Sequence, residues 1–257
     1  MSFSPRMSAP AAPRARVAAQ ARFELASLLA NGEQLLVSLV LPLGALLGMV
    51  YSTAVPLGSV TPQRRVDLAV PGVLALCVIS AAFTAQAIAT GFDRRYAVLR
   101  LLGTTPLGRD GLLWGKALAT VGVEIIQWVV IGAVGLGLGW APTWAGLGYA
   151  ALLLLAGTWA FVALALLLAG TVRAEGVLAL ANLVWVLLLV LGGVLVPAAQ
   201  LPGPLGAIAT ALPSGALADG LRTAFVDGRF AALPLVVLLG WGALGTALAA
   251  RLFRWSE

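Results

Sequence analysis

The sequence predicts an all-α, polytopic membrane protein with six transmembrane helices, and three observations carry that prediction. Of its 257 residues, 61% are hydrophobic and only 10% charged, against roughly 25% charged in soluble domains. Mean hydropathy is +1.00. Several apolar runs exceed the roughly 18 residues that mark a spanning helix. Such spans must be helical, because a helix satisfies its own backbone hydrogen bonds where water is absent. A membrane β-barrel would instead show short segments of alternating polarity, a pattern missing here.

The elements follow in order. Residues 1–22 hold Arg6, Arg14, Arg16 and Arg22 among Pro, Ala and Ser, and read as a flexible basic cytoplasmic tail. The apolar region begins too late for a signal peptide, and no cleavage site closes it. From Ala21 to Leu36 the pattern is amphipathic, with Phe23, Leu25, Leu28 and Leu29 against Arg22, Glu24, Asn31 and Glu33. Two readings fit that stretch: a helix lying in the membrane interface, or an extension of the first span. A single membrane domain over 23–257 then contains spans at about 35–55, 68–90, 117–139, 145–171, 176–196 and 231–250. Pro42 interrupts the first, and only a tight turn holding Arg173 and Glu175 separates the fourth from the fifth.

Charge sets the orientation. With a cytoplasmic N-terminus, the inside holds the four tail arginines, Arg94, Arg95, Arg100, Arg109, Lys116, Arg173, Arg251 and Arg254. The outside holds Arg64, Arg65, Arg222 and Arg229. That asymmetry obeys the positive-inside rule, and six spans return the C-terminus to the cytoplasm. The net charge of +6 is thereby a matter of orientation, and no nucleic-acid partner is expected. The single cysteine, Cys77, excludes an intrachain disulfide and cysteine metal clusters. The absence of histidine excludes zinc-hydrolase and Ser-His-Asp chemistry.

Two connecting segments are long. The cytoplasmic one, Gly91 to Lys116, places Phe92, Tyr96, Leu99 and Leu102 at helical spacing, stops near Gly103 and restarts at Pro106. An amphipathic helix there has two possible partners, the headgroup layer or another protein. The external one, Pro197 to Phe230, is too apolar for an ordinary loop. Its Leu201-Pro202, Leu205, Ile208, Leu212-Pro213 and Leu217 predict short re-entrant helices that the prolines keep from spanning. Asp219 and Arg222, one turn apart, are expected to pair locally.

Polar residues inside spans are costly and face protein or water. Glu124 and Gln127 on span three share a helix face. They form a possible substrate path, or else Glu124 reaches back toward the cytoplasmic interface. Gln86 on span two and Asn182 on span five read as hydrogen-bonding glue between helices, and Asn182 is also a candidate for the path. Trp114, Trp140, Trp144, Trp241 and Trp255 fall mostly near span ends, as interfacial aromatics do.

The run Asp93-Arg94-Arg95 through Leu101-Leu102, Thr104-Thr105-Pro106, Leu112-Leu113 and Gly115-Lys116 resembles the cytoplasmic segment of ABC-2-type transporter permeases. Gly192-Gly193, Pro197, Leu201-Pro202, Leu212-Pro213 and Leu221-Arg222 are similar to that family's pattern between spans five and six. The resemblance extends over nearly the whole chain, to the membrane subunits of bacterial ATP-binding-cassette exporters of the multidrug- and daunorubicin-resistance-like kind. Arg95 and Arg100 depart from it, standing where acids are common, and Tyr96-Ala97 replaces a stretch that often holds Gly.

What the resemblance implies is a dimeric permease, of two copies or a copy and a paralogue, in the bacterial inner membrane. It would bind a pair of cytoplasmic ATPase subunits through the 91–107 segment. The coupling residues carried over are Asp93, Arg94, Arg95, Tyr96, Leu99, Leu102, Thr105 and Pro106. ATP and Mg would sit on the partner, and this chain binds no cofactor or metal. The nearest approach to a phosphate loop, Gly103 to Gly108, is followed by Arg109-Asp110 where Lys and Ser/Thr are required. The cargo expected is amphipathic: a drug, lipid or glycoconjugate. The alternative is a secondary transporter driven by an ion gradient through Glu124. An intramembrane enzyme would need clustered Asp, His, Ser or Lys at one depth, which the spans lack.

Overall fold

Every long apolar run is helical in the computed structural model, which describes residues 11–30, 32–52 and 62–254. Among the described residues there is no strand. The helices are α1 (Pro13–Ala30), α2 (Gly32–Tyr51), α3 (Pro62–Val78), α4 (Gln86–Arg95), α5 (Val98–Gly103), α6 (Gly108–Gly137), α7 (Leu147–Thr171), α8 (Ala174–Leu191), α9 (Leu205–Ala211), α10 (Pro213–Arg222) and α11 (Ala232–Leu252). Prolines open α1, α3 and α10, where the missing N–H is one that a helix start leaves unpaired anyway. A π-helical segment, Ile79–Ala85, joins α3 to α4, so that one rod runs through the expected second span.

Among the described residues, five stretches are long and apolar enough to cross a membrane: Arg64–Arg95, Asp110–Gly137, Trp144–Thr171, Ala174–Leu191 and Ala232–Leu252. The expected first span, 35–55, is helical through Tyr51 as part of the 20-residue α2, and Ser38–Tyr51 is its apolar part among the residues whose side chains are described. Residues 53–61 lie outside the described residues.

Hydrogen bonds sort the connecting segments to two ends of the bundle. At one end Arg94 donates to the Val172 carbonyl, Arg95 pairs with Glu175, and the Arg254 amide donates to Gly170. At the other, Arg65 donates to the carbonyls of Met49 and Ser52, and the Ala141 amide donates to Asp67. Between them α7 packs along α11, and the α3–π–α4 rod, the most buried candidate span, contacts α2, α6, α7, α8 and α10.

The reading of residues 1–22 as a flexible tail fails from Pro13 onward. Helix α1 runs along the first half of α6 in the same direction, with Val17 beside Gly111, Gln20 beside Gly115 and Leu25 beside Gly122. These glycines leave the groove that α1 fills: a Cβ at Gly115 would lie 2.6 Å from the Gln20 side chain. The amphipathic stretch 21–36 is helical through Ala30 and again from Gly32, and residue 31 between them lies outside the described residues. Leu25 is partly buried on α6, whereas Phe23 and Leu29 are exposed. Residues 1–10 lie outside the described residues.

The apolar segment after α8 folds as expected into short helices broken at Leu212-Pro213. Helix α10 is buried against α3, α7 and α11 along almost its whole length. Arg222, at its end, fixes this arrangement. Its guanidinium donates to the carbonyls of Gly193 (2.8 Å) and Val194 (2.5 Å) and to Asp219 (2.7 Å). It also reaches the Leu68 carbonyl. The expected pair with Asp219 therefore forms, as one part of a larger knot. Burial pushes the Arg222 guanidinium below its ordinary value, and the Asp219 charge opposes that. Gly72 permits the knot, because a Cβ there would sit 2.4 Å from the Val194 oxygen and 2.9 Å from Arg222.

Removing one partner from a buried charge pair costs about 3–5 kcal/mol. Arg222→Met, which removes the cation beside Asp219 and the donors to three carbonyls, is expected to lower the unfolding midpoint of the detergent-purified chain sharply. Arg229→Met, whose Asp227 pair is mostly exposed, is expected to leave it unchanged.

Candidate functional site

The cytoplasmic-segment residues do not form one continuous helix. Helix α4 ends at Arg95, Ala97 adopts the left-handed conformation (φ 59°), and α5 starts afresh at Val98. Among the described residues Ala97 is the only non-glycine with positive φ. Such a conformation is uncommon outside glycine and asparagine, and here it turns the helix register. The expected face Phe92, Tyr96, Leu99, Leu102 is consequently split. Leu99 is fully buried and Leu102 partly so, while the exposed Thr105 and Pro106 line, with Leu102, an open depression beside Arg16, Ala19 and Gln20 of α1. The residues that face outward are Tyr96 (68% exposed) and Leu101 (69%), flanked by Val98. Leu99 and Leu102 thus brace α5 from within and do not form its outer face.

The charged residues of the segment bind inward as well. Asp93 accepts a hydrogen bond from Lys116 Nζ at 2.7 Å, and Glu24 of α1 accepts one from the same nitrogen at 3.0 Å. Lys116 is itself buried. Arg94 is buried against Val172, while Arg95 reaches the exposed Glu175 and lies 5.9 Å from the Tyr96 ring. Tyr96 stacks on Phe92 with ring centroids 6.1 Å apart. Thr105 caps the turn by donating to the Leu102 carbonyl. Asp93 therefore ties the end of α4 to α6 and, through Lys116, to Glu24 of α1, while Arg94 and Arg95 tie it to the α7–α8 turn at Val172 and Glu175.

Over residues 17–226 the chain matches the family described as ABC-2 type transporter. It belongs to that family. The match starts inside α1 and ends within the π-helical turn Thr223–Asp227, so it spans both long connecting segments. The chain is thus a multi-pass membrane permease component of an ABC transporter. No curated protein matches it.

Within the permease, Glu124 lies at mid-length on the 30-residue α6 and does not reach back to the interface. It is fully buried, and its Oε2 accepts a hydrogen bond of 2.6 Å from Thr158, mid-length on α7. Gln127 shares the face only in part. Its Nε2 donates to the Ser38 carbonyl of α2 at 2.9 Å, and its buried Oε1 has no partner among the described residues. Gln86 behaves as glue: Thr120 of α6 donates to its Oε1, and its Nε2 donates to Thr90. Asn182 does not. It is exposed and, among the described residues, donates to Leu178 on its own helix. Trp140 is buried edge-on against Phe225 at 5.0 Å, unlike the exposed Trp114 and Trp144. Trp255 lies outside the described residues.

Sequence reasoning missed the junction of Lys116 with Glu24 and Asp93. One signal was present: Lys116 is the only lysine, and it opens an apolar run. Replacing it leaves two carboxylates facing each other without their cation, at a cost of about 3–5 kcal/mol. Lys116→Met is expected to release α1, read as faster trypsin cleavage at Arg16 and Arg22 of the folded protein. Thr158→Val is expected to destabilise by about 1–3 kcal/mol, the cost of an unsatisfied buried acceptor, measured as a lower unfolding midpoint with cleavage of α1 unchanged.

Proposed function

We propose that the chain is the permease subunit of an ATP-driven exporter, coupled to a cytoplasmic ATPase dimer through the 91–107 segment. The cargo is an amphipathic molecule, and the membrane path is completed by a second copy or a paralogue. The orientation places both termini in the cytoplasm of a bacterial inner membrane. The arginine-rich end of the bundle, with 91–116, 170–175 and 251–254, is then the ATPase side.

The observation that carries this reading is the exposed pair of Tyr96, at the end of α4, and Leu101, on the short helix α5 whose reverse face is locked. An apolar patch on a rigid support, next to charges that are already paired, suits a cleft on a folded partner. Leu99 beneath it and the Lys116 junction behind it tie α5 and the end of α4 to α6. A push on α5 is thereby delivered to α6 and, through Glu24, to α1. ATP and Mg stay on the partner; this chain contributes the lever and the path.

The test is recovery of a soluble ATPase with the tagged chain, purified gently from its own host. Leu101→Asp and Tyr96→Asp are expected to cut that recovery at least tenfold while the unfolding midpoint holds. Leu99→Asp is expected to lower the midpoint itself, because it buries a charge. Unchanged recovery in Leu101→Asp would move docking elsewhere. Absence of any ATPase, with cargo movement in vesicles indifferent to ATP, would overturn the ATP-driven reading and leave ion coupling through Glu124.

A further inference from the structure

A cavity of about 120 Å³ lies between α1, α2, the π segment, α4 and α6, and the coupling mechanism makes no use of it. Its floor holds Gln86, Thr120 and Gln127, and one end holds Glu24 and Lys116. Ala81, Ala85 and Ala89 form the rim on the rod, the last two exposed. The π segment is what aims Ser80, Ala81 and Ala85 at this space, and such segments inside α-helices frequently mark functional sites. The volume is that of a polar head group and smaller than a whole drug-sized pocket, for which roughly 300 Å³ is the lower end.

The polar groups define what fits. Gln127 Oε1 is buried and accepts no hydrogen bond among the described residues, so the cavity asks for a donor. An acceptor left dry in a membrane interior is costly. The charge at the other end is one negative unit, since Lys116 answers two carboxylates, Glu24 and Asp93. Both hydrogen bonds to Glu24, from Lys116 and Gln20, fall on Oε1, which leaves Oε2 to meet a cation. An anionic head would find the one lysine already engaged.

We propose that this cavity binds the head of an amphipathic amino alcohol, its ammonium group beside Glu24 and its hydroxyl donating to Gln127. The proposal rests on the permease reading and specifies the cargo class. The alkyl part leaves past Ala85 and Ala89.

The test is equilibrium binding of N-dodecylethanolamine to the full purified chain in lipid nanodiscs, without any ATPase. Saturable binding is expected, weakened at least tenfold by Gln127→Leu and abolished by Ala89→Leu, which adds bulk at an exposed rim position. Dodecanoate and dodecanol are expected not to compete at tenfold excess. Competition by either at equal concentration would overturn the amine assignment, and binding unchanged in Ala89→Leu would overturn the site. So would dissociation of a dimer by Ala89→Leu with Gln127→Leu silent, which would give the alanine rim to a second copy. Leu101→Asp is expected to leave binding intact, so loss of ATPase coupling and loss of this site are separately visible.

Discussion

Lys116 stands where three helices meet, and this end of the molecule depends on its charge. A lysine placed two turns inside an apolar helix is tolerable only if it is paired. The pairing recruits Glu24 from α1 and Asp93 from the end of α4. That requirement brings the N-terminal helix alongside α6, where glycines 111, 115 and 122 give it room. It also brings the start of the 91–116 segment to the same point. The short helix α5 then has a fixed base, and its outward residues follow from the turn at Ala97.

The opposite end of the bundle solves the same problem with a different cation. Arg222 answers the carbonyls of Gly193 and Val194, in the segment that follows α8, and holds Asp219 in place. The planar guanidinium with its several donors suits a cluster of carbonyls better than a lysine would. Between these two ends a few polar side chains join helices: Thr158 to Glu124, Thr120 to Gln86, Gln127 to the Ser38 carbonyl. The apolar faces of α6, α8 and α11 remain exposed on the single chain, as befits surfaces for lipid or a second subunit.

Much of this was legible in the sequence. The apolar runs located the long helices, and Leu212-Pro213 located the break before α10. Asp219 and Arg222, three residues apart, declared their pair. The coupling segment was legible as to place but not as to face. Helical spacing groups Leu99 with Tyr96 and Leu102, yet Leu99 is buried and Leu101 exposed. The turn at Ala97 changes the register, and alanine carries no sequence signal for a left-handed residue. The flexible reading of residues 13–22 failed for a related reason, because Arg and Ala say nothing of a glycine groove nearly a hundred positions away.

The sequence by itself determined the class of molecule, the approximate spans and the asymmetry of charge, because these follow from transfer of side chains between water and hydrocarbon, a local property of each segment. Tertiary structure alone decided which polar groups meet. Whether Glu124 faces Thr158 or the interface, whether Gln127 closes a hydrogen bond or lines a cavity, and which carboxylates Lys116 gathers all depend on helix rotation and depth. Those are set by packing between segments far apart in the chain, where no periodicity within one segment can report them.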